Sequence, residues 1–235
     1  NLGAQRDANR KALRKIAKES VYGHTLDADT IGNAHALLAK SKPLLSMPAL
    51  AEQSEILLSE TILHNCLIAQ PQQRNTAGRI FGGFLMRRAF ELAHATAYLF
   101  AGRRPVFLEL DEVTFRSPVS VGDLLRLESC VLYTSEQMDI LGRLTIHVEV
   151  LAEVIKPEER SSVTSNSFNF TFGVSEHADG SGKAALANVP GAPELRRVLP
   201  SRHGEAYRIM ERYKADLAQR AEDEAAQLKP RALGD

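Results

Sequence analysis

The stretch Asn75-x-x-Gly78-x-x-Phe81-Gly82-Gly83 stands directly before a largely apolar run, Phe84 to Ala101. Its residue types are the ones in this 235-residue chain best suited to chemistry. A helix opening there would present backbone N–H groups without intrahelical partners and a partial positive charge. Glycines let another group approach that backbone, and such donors stabilise an oxygen that becomes negative during acyl transfer. The same glycines also suit tight packing of a helix on a sheet, so the diglycine alone leaves both readings open. Other chemistries find less support. His64, His94 and His147 have no second His or Cys at metal-ligand spacing, so they are expected to be structural and no metal is expected. Cys66 and Cys130, the two cysteines, lie in apolar runs outside any CxxC pair and are expected as small buried hydrophobes. That excludes a zinc ribbon or a disulfide framework. A Ser-His-Asp hydrolase would want a G-x-S-x-G elbow, and the sequence has none.

The elements that must position the diglycine are legible in the pattern. Phe84–Ala101 is apolar nearly all round, interrupted by Arg87, Arg88, Glu91 and His94, and stops at Gly102 with Pro105 beyond. It is expected as a buried helix. Thr61–Ala69 is long enough for one strand, and strand-like runs follow at Val106–Phe115, Leu124–Tyr133, Leu141–Val154 and Ser162–Val174. Phe168-Asn-Phe-Thr-Phe172 and Leu144-Thr-Ile-His-Val148 alternate with period two. Pro118, Gly122-Asp123 and Pro157–Arg160 supply turns. One long apolar helix followed by strands with no helices between them excludes a doubly wound parallel sheet. It predicts an α+β fold with an antiparallel sheet packed on that helix.

The flanks read differently. Residues 1–20 carry six basic groups against Asp7 and Glu19 and are expected as a solvated linker helix. Asn33–Lys40 is a short helical pattern expected to stop at Pro43 and Pro48. Residues 175–200 read as a loop and 203–228 as an exposed helix. Domains are therefore expected at 1–50 (helical extension), 51–175 (core domain) and 176–235 (loop and helical extension). Formal net charge is zero, with 29 basic and 29 acidic residues, so no global field calls for nucleic acid. No run approaches the roughly 20 apolar residues of a membrane span. The first residue is Asn1 rather than Met, as in a processed chain or a piece of a longer one.

Three segments, in order, resemble the hot-dog-fold acyl-CoA thioesterases. They are Gln70-Pro-Gln-Gln-Arg-Asn-Thr-Ala-Gly-Arg-Ile-Phe-Gly-Gly-Phe-Leu-Met86, Phe115-Arg-Ser-Pro-Val-Ser-Val-Gly-Asp123 and Ser165-Asn-Ser-Phe-Asn-Phe-Thr-Phe172. The likeness covers 43–174 and is strongest to the eukaryotic, often mitochondrial, branch with two hot-dog domains in tandem. There, Pro43–Leu50 and Glu55–Leu58 resemble the segment joining the domains, so the chain reads as the second domain with its linker. The resemblance implies a site shared across a domain interface, with an Asn before the diglycine and a carboxylate on the facing domain's central helix. Asn75 matches the first position. The carboxylate position is Phe90, which cannot act as a base, and Glu91 beside it is rotated about 100° around a helix. Glu91 is carried as a catalytic candidate together with Asn75, Gly82 and Gly83, its alternative being a satisfied carboxylate or an interface group.

The implied reaction is hydrolysis of an acyl-CoA to a free fatty acid and CoA, without a cofactor; coenzyme A enters as part of the substrate. Lys156 with Arg160 and Ser161 is a candidate phosphate contact, because Arg binds phosphate bidentately; the alternative is an exposed turn with solubilising charges. A scaffold subunit without turnover remains a second reading, since Phe90 replaces the acid. A hot-dog dehydratase is a weaker third, because Gln70–Gly83 lacks a histidine. A homo-oligomer or a second hot-dog domain is the expected partner, with Leu124–Tyr133 or Leu141–Val154 as candidate sheet edges. The branch implies a mitochondrial location, with plastid or cytoplasm as alternatives.

Overall fold

A computed structural model describes residues 28–111, 113–135, 143–175 and 195–227. They separate into two compact units, one spanning Pro43–Leu199 and the other lying before Pro43 and after Leu199. In the first, α2 (Gly82–Ala101) sits against a six-stranded antiparallel sheet. Its strands are β2 (Leu63–Ile68), β3 (Val106–Leu110), β4 (Thr114–Phe115), β5 (Leu124–Thr134), β6 (Arg143–Lys156) and β7 (Ser161–Ser175). The order is β2-β5-β6-β7-β3, with β4 also on β7. A long helix cradled by an antiparallel sheet is the expected hot-dog arrangement.

The two periodicities meet in the core. Leu85, Ala89, Leu92, Ala93, Thr96 and Ala97 are buried on α2, while Leu125, Leu127, Ser129 and Val131 alternate along β5. Their register partners Val154, Ala152, Val150 and Val148 continue the same face into β6, and Phe168 and Phe170 extend it into β7. Three small alanines at the helix contact let backbone approach sheet. Thr96 and Ser129 are the polar exception, their hydroxyls 2.5 Å apart and the Thr96 hydroxyl donating to Leu92 O. On the outer face Arg126 pairs with Glu153 at 2.5 Å and His64 with Glu128 at 3.1 Å. The helix stops at Gly102, whose φ of 66° is left-handed and whose N–H reaches Tyr98 O at 3.0 Å.

Several expectations are corrected. Leu124–Tyr133 and Leu141–Val154 are not edges: β5 and β6 are paired on both sides, and among the described residues the six-stranded sheet ends in β2 on one side and in β3, with the short β4, on the other. Long apolar strands belong inside a sheet, whereas the edges are the shorter strands carrying His64, Asn65 and Glu109. Val106–Phe115 breaks into β3 and β4, both laid on β7. Cys66 is exposed, because its strand alternates and places it opposite Arg126; Cys130 is buried as expected. Glu55–Leu57 (β1), read as linker, pairs in parallel with Arg197–Leu199 (β8), read as loop.

The described residues of the second unit are mainly helical. The helix α1 (Ala28–Ser46) begins there and runs through Pro43 rather than stopping at it, Met47 N–H closing the last turn on Pro43 O at 2.8 Å. The helix α3 (His203–Gln227) is not wholly exposed: Glu205, Ala206 and Ile209 are buried. The Glu205 carboxylate accepts bonds from Ser201 and Arg202. The basic segment 1–20 and the domain boundaries near 176 lie outside the described residues. Among described residues no helix is long and apolar enough to cross a membrane.

Truncating the core should be costly in proportion to burial. Leu127, fully buried on β5, should lose about 2–5 kcal/mol of stability on Leu127→Ala. Leu99→Ala, at an exposed position on α2, should stay within about 0.5 kcal/mol. Urea unfolding midpoints of the two variants check this.

Candidate active site

The three segments singled out in the sequence converge on the N-terminus of α2. The turn after β2 is tied to the second segment by Gly122 N–H to Ala69 O (2.8 Å), Ala69 N–H to Asp123 O (2.9 Å) and Ile80 N–H to Val119 O (2.9 Å). Gly122 takes a φ of 93°, which a side chain would oppose. Asp123 closes its own turn by accepting from Ser120 N–H at 2.7 Å. The second segment is tied in turn to the third. Arg116 N–H donates to Ser165 O at 2.9 Å, and the Ser165 hydroxyl donates to Ser117 O at 2.8 Å. Ser165 and Asn166 are fully buried at this junction.

Inside this frame Asn75 is locked by its own loop. Its N–H donates to Arg79 O at 2.6 Å, and its carbonyl accepts from Gly78 N–H at 3.0 Å. Its side-chain Oδ1 accepts from Ala77 N–H at 2.9 Å and from Arg79 N–H at 3.1 Å. The acceptor end of the carboxamide is therefore spent on the turn, and the Nδ2 hydrogens are what Asn75 can offer outward. The residue is exposed. A few residues on, α2 begins with Phe81 at its N-cap and no side-chain cap. Ser, Thr, Asp or Asn ordinarily stands there and consumes a backbone donor. Phe81 cannot, so no side chain takes the first N–H groups, at Gly82 and Gly83. Hydrogen-bond donors from a side chain and from a helix N-terminus occur on one short stretch of chain.

Phe90 lies one helical face further on, in an aromatic cluster with Phe107 (5.4 Å), Phe170 (5.9 Å) and Phe172 (6.1 Å), and His94 packs against it at 6.1 Å. Glu91 is exposed, and each of its oxygens is engaged: Arg87 Nε donates at 3.0 Å and Arg88 Nη1 at 2.7 Å. The helix rotation thus separates Glu91 from the Phe90 face. His147 is buried, stacked on Tyr133 at 4.1 Å with Thr145 and Thr171 hydroxyls 3.2 Å from its two nitrogens. Lys156, Arg160 and Ser161 lie on the turn between β6 and β7, at the sheet end where Leu124 pairs with both Ile68 and Ile155. Glu159 occupies two of them, its carboxylate 3.3 Å from Lys156 Nζ and 3.4 Å from the Ser161 hydroxyl. Arg160 takes a left-handed φ of 50° at the exposed tip. Among the described residues no group of three or more His, Cys, Asp and Glu side chains could hold a metal ion.

No protein-family model matches the chain. Relatives do. The chain is 47% identical over 212 residues to acyl-coenzyme A thioesterase 4, mitochondrial, of Humulus lupulus, covering 90% of this chain and 37% of that protein. It is 46% identical over 207 residues to acyl-coenzyme A thioesterase 2, chloroplastic, of the same plant, covering 88% of this chain and 45% of that protein. The chain belongs to the hot-dog-fold acyl-CoA thioesterases. It spans less than half the length of either of these thioesterases. A solved apo-hexameric acyl-CoA thioesterase shares the fold, with a TM-score of 0.57 at 23% identity over 74% of this chain and 99% of that one.

Of the residues to which the motif pattern pointed, Asn75 lies on the loop leading into α2, Gly82 and Gly83 open the helix, and Glu91 lies farther along it, paired with Arg87 and Arg88. The direction of the Asn75 carboxamide was not foreseen, nor was the approach of Phe115 to the helix start, where a side-chain carbon on Gly82 would stand 2.7 Å from Phe115 Cζ. The spacing Asn75-x-x-Gly78-Arg79 could have suggested the first, since Asn side chains bond backbone N–H groups just downstream in turns. Nothing local announces the second. Asn75→Asp keeps both acceptor bonds of the turn, so its melting temperature should stay within a degree or two of the parent. Asn75→Ala loses them and should cost about 1 kcal/mol, read as a lower Tm in a thermal scan.

Proposed function

We propose that the chain supplies one half of an acyl-CoA thioesterase site, with Asn75 Nδ2 and the N–H groups of Gly82 and Gly83 as donors to the thioester carbonyl oxygen. The observation that carries this reading is the uncapped helix start beside an Asn whose acceptor end is already used. Donors fixed before reaction stabilise the developing oxyanion without reorganisation. The leaving thiolate has a pKa near that of free Cys and departs without protonation. The attacking water needs a general base, worth about 10²–10⁴-fold. Phe90 cannot be that base, and Glu91 is held by two arginines, so the carboxylate comes from a facing hot-dog domain. That partner is a further domain of a longer chain, and the share of its relatives that this chain spans supports it.

Products are a free fatty acid and CoA, and the chemistry needs no cofactor. Arg160 is the proposed phosphate contact for CoA; Lys156 and Ser161 would join it only by releasing Glu159. The free edges β2 and β3 support pairing with another hot-dog domain, in the same chain or in a second copy, and the hexameric neighbour supports a larger assembly. The names of the plant relatives support an organelle, of which we favour the mitochondrion. The division into a helical extension (1–50), a thioesterase domain (51–175) and a loop with a C-terminal helical extension (176–235) belongs to the same proposal. One observation favours a second reading: the Phe90 cluster fills the acid's place with packed rings, as a scaffold without turnover would allow.

The experiment is acyl-CoA hydrolysis by the chain alone and mixed with a hot-dog domain carrying a carboxylate on its central helix. Activity should be low alone and rise on mixing; no turnover in either case would give the scaffold reading the field. In the active pairing Asn75→Asp should lower kcat by about one to three orders of magnitude, or 1.4–4 kcal/mol. A carboxylate accepting two N–H bonds is held in its charged form, so the variant should regain activity only toward acid pH, where protonation restores a donor. Glu91→Gln should leave turnover within a few-fold; abolition of activity would place the base at Glu91 after all.

A further inference from the structure

We propose that Phe115 is a positioning residue for the donor turn at Gly82–Gly83, an inference that rests on the proposed reaction. A side-chain carbon on Gly82 would stand 2.7 Å from Phe115 Cζ and 2.9 Å from its Cε1, so the phenyl edge lies against the bare Cα of the first helical residue. Phe115 is 52% exposed and adds little to the core. Its backbone, by contrast, is firmly held. Phe115 pairs with Asn166 on β7, and the next two N–H groups donate to Ser165 O at 2.9 and 3.3 Å. Phe81 does the same locally, its Cε1 lying 2.5 Å from where a side chain on Gly83 would begin.

Helix ends fray, and a polar cap prevents this only by taking up backbone donors. A ring pressed against Cα restrains the first turn from the other side and leaves its N–H groups free for a ligand. On this account position 82 is glycine because of Phe115, rather than because substrate needs the room. The two explanations separate in a double-mutant cycle.

The test measures kcat and KM for acyl-CoA in the active pairing, and hydrogen exchange of the 79–86 segment in the chain. Gly82→Ala should displace the ring and lower kcat about tenfold or more, since small misplacements of catalytic groups are expensive. Phe115→Ala should lower kcat more than it raises KM and speed exchange at 82–84, and Phe115→Leu should retain more activity than Phe115→Ala. The double variant Gly82→Ala/Phe115→Ala should be no slower than Phe115→Ala alone. Multiplicative losses in the double variant, or wild-type exchange in Phe115→Ala, would overturn the assignment. If no pairing hydrolyses acyl-CoA, the proposed reaction falls, and the exchange measurement alone still decides whether Phe115 holds the turn.

Discussion

A helix can keep its first N–H groups available only if something other than a capping side chain holds its first turn. That constraint organises the Pro43–Leu199 unit. Phe81 at the N-cap forgoes the usual polar cap, and the deficit is met from outside the helix. The turn before it is bonded to Val119 and to Gly122-Asp123 of the Phe115–Asp123 segment, and Arg116 and Ser117 of that segment are bonded to Ser165 on β7. The three motifs are far apart in sequence because each belongs to a different element. They are close in space because hydrogen bonds tie each to the next, from the turn before the helix to Ser165.

The sheet serves the same end. β7 is long enough to pair with β6 along its whole length and still receive β3 near one end and β4 farther along. A shorter strand could have closed the core but would not have reached the residues beside Gly82. The irregularity between Ala152 and Glu153 in the β6–β7 ladder falls where Ser165 sits, since the register passes from Asn166 directly to Thr164. Extra residues in a strand bend it and free backbone groups from the ladder. Here the Ser165 carbonyl accepts from the Arg116 and Ser117 N–H groups, and its hydroxyl donates to Ser117 O.

Much of the fold was legible because its strongest signals are periodic. The apolar run of α2 ending at Gly102, and the alternation in Phe168–Phe172, required a helix packed on an antiparallel sheet. Edge assignment was not legible, since hydrophobicity reports burial of faces and says little about which strand lacks a neighbour. The β1–β8 pair joins residues about 140 apart in three-residue strands, too short for any pattern to show. At the site, residue types marked Asn75 and the glycines, but the roles depend on geometry. That the Asn75 oxygen is consumed by Ala77 and Arg79 turns a group able to accept or donate into a donor. Phe115 carries no polar atom to draw notice, and its importance is steric.

Phe90 ties this division of labour to the stability of the unit itself. A carboxylate there would meet Phe107, Phe170 and Phe172, and an unpaired charge among such rings is costly. The phenyl instead packs edge-on to Phe107 and Phe170. Since Phe107 belongs to the edge strand β3 and Phe170 to the strand behind it, that packing fastens an otherwise one-sided strand to the central helix. If the facing domain supplies the acid, as proposed, a ring at position 90 leaves this chain without one and secures the edge at the same time. A symmetric pair of such chains would place a Phe90 wherever it placed an Asn75, because an isologous interface repeats every contact twice. On the proposed division of labour, a complete thioester site then needs a partner that is folded alike but not identical, with a carboxylate where this chain has its ring.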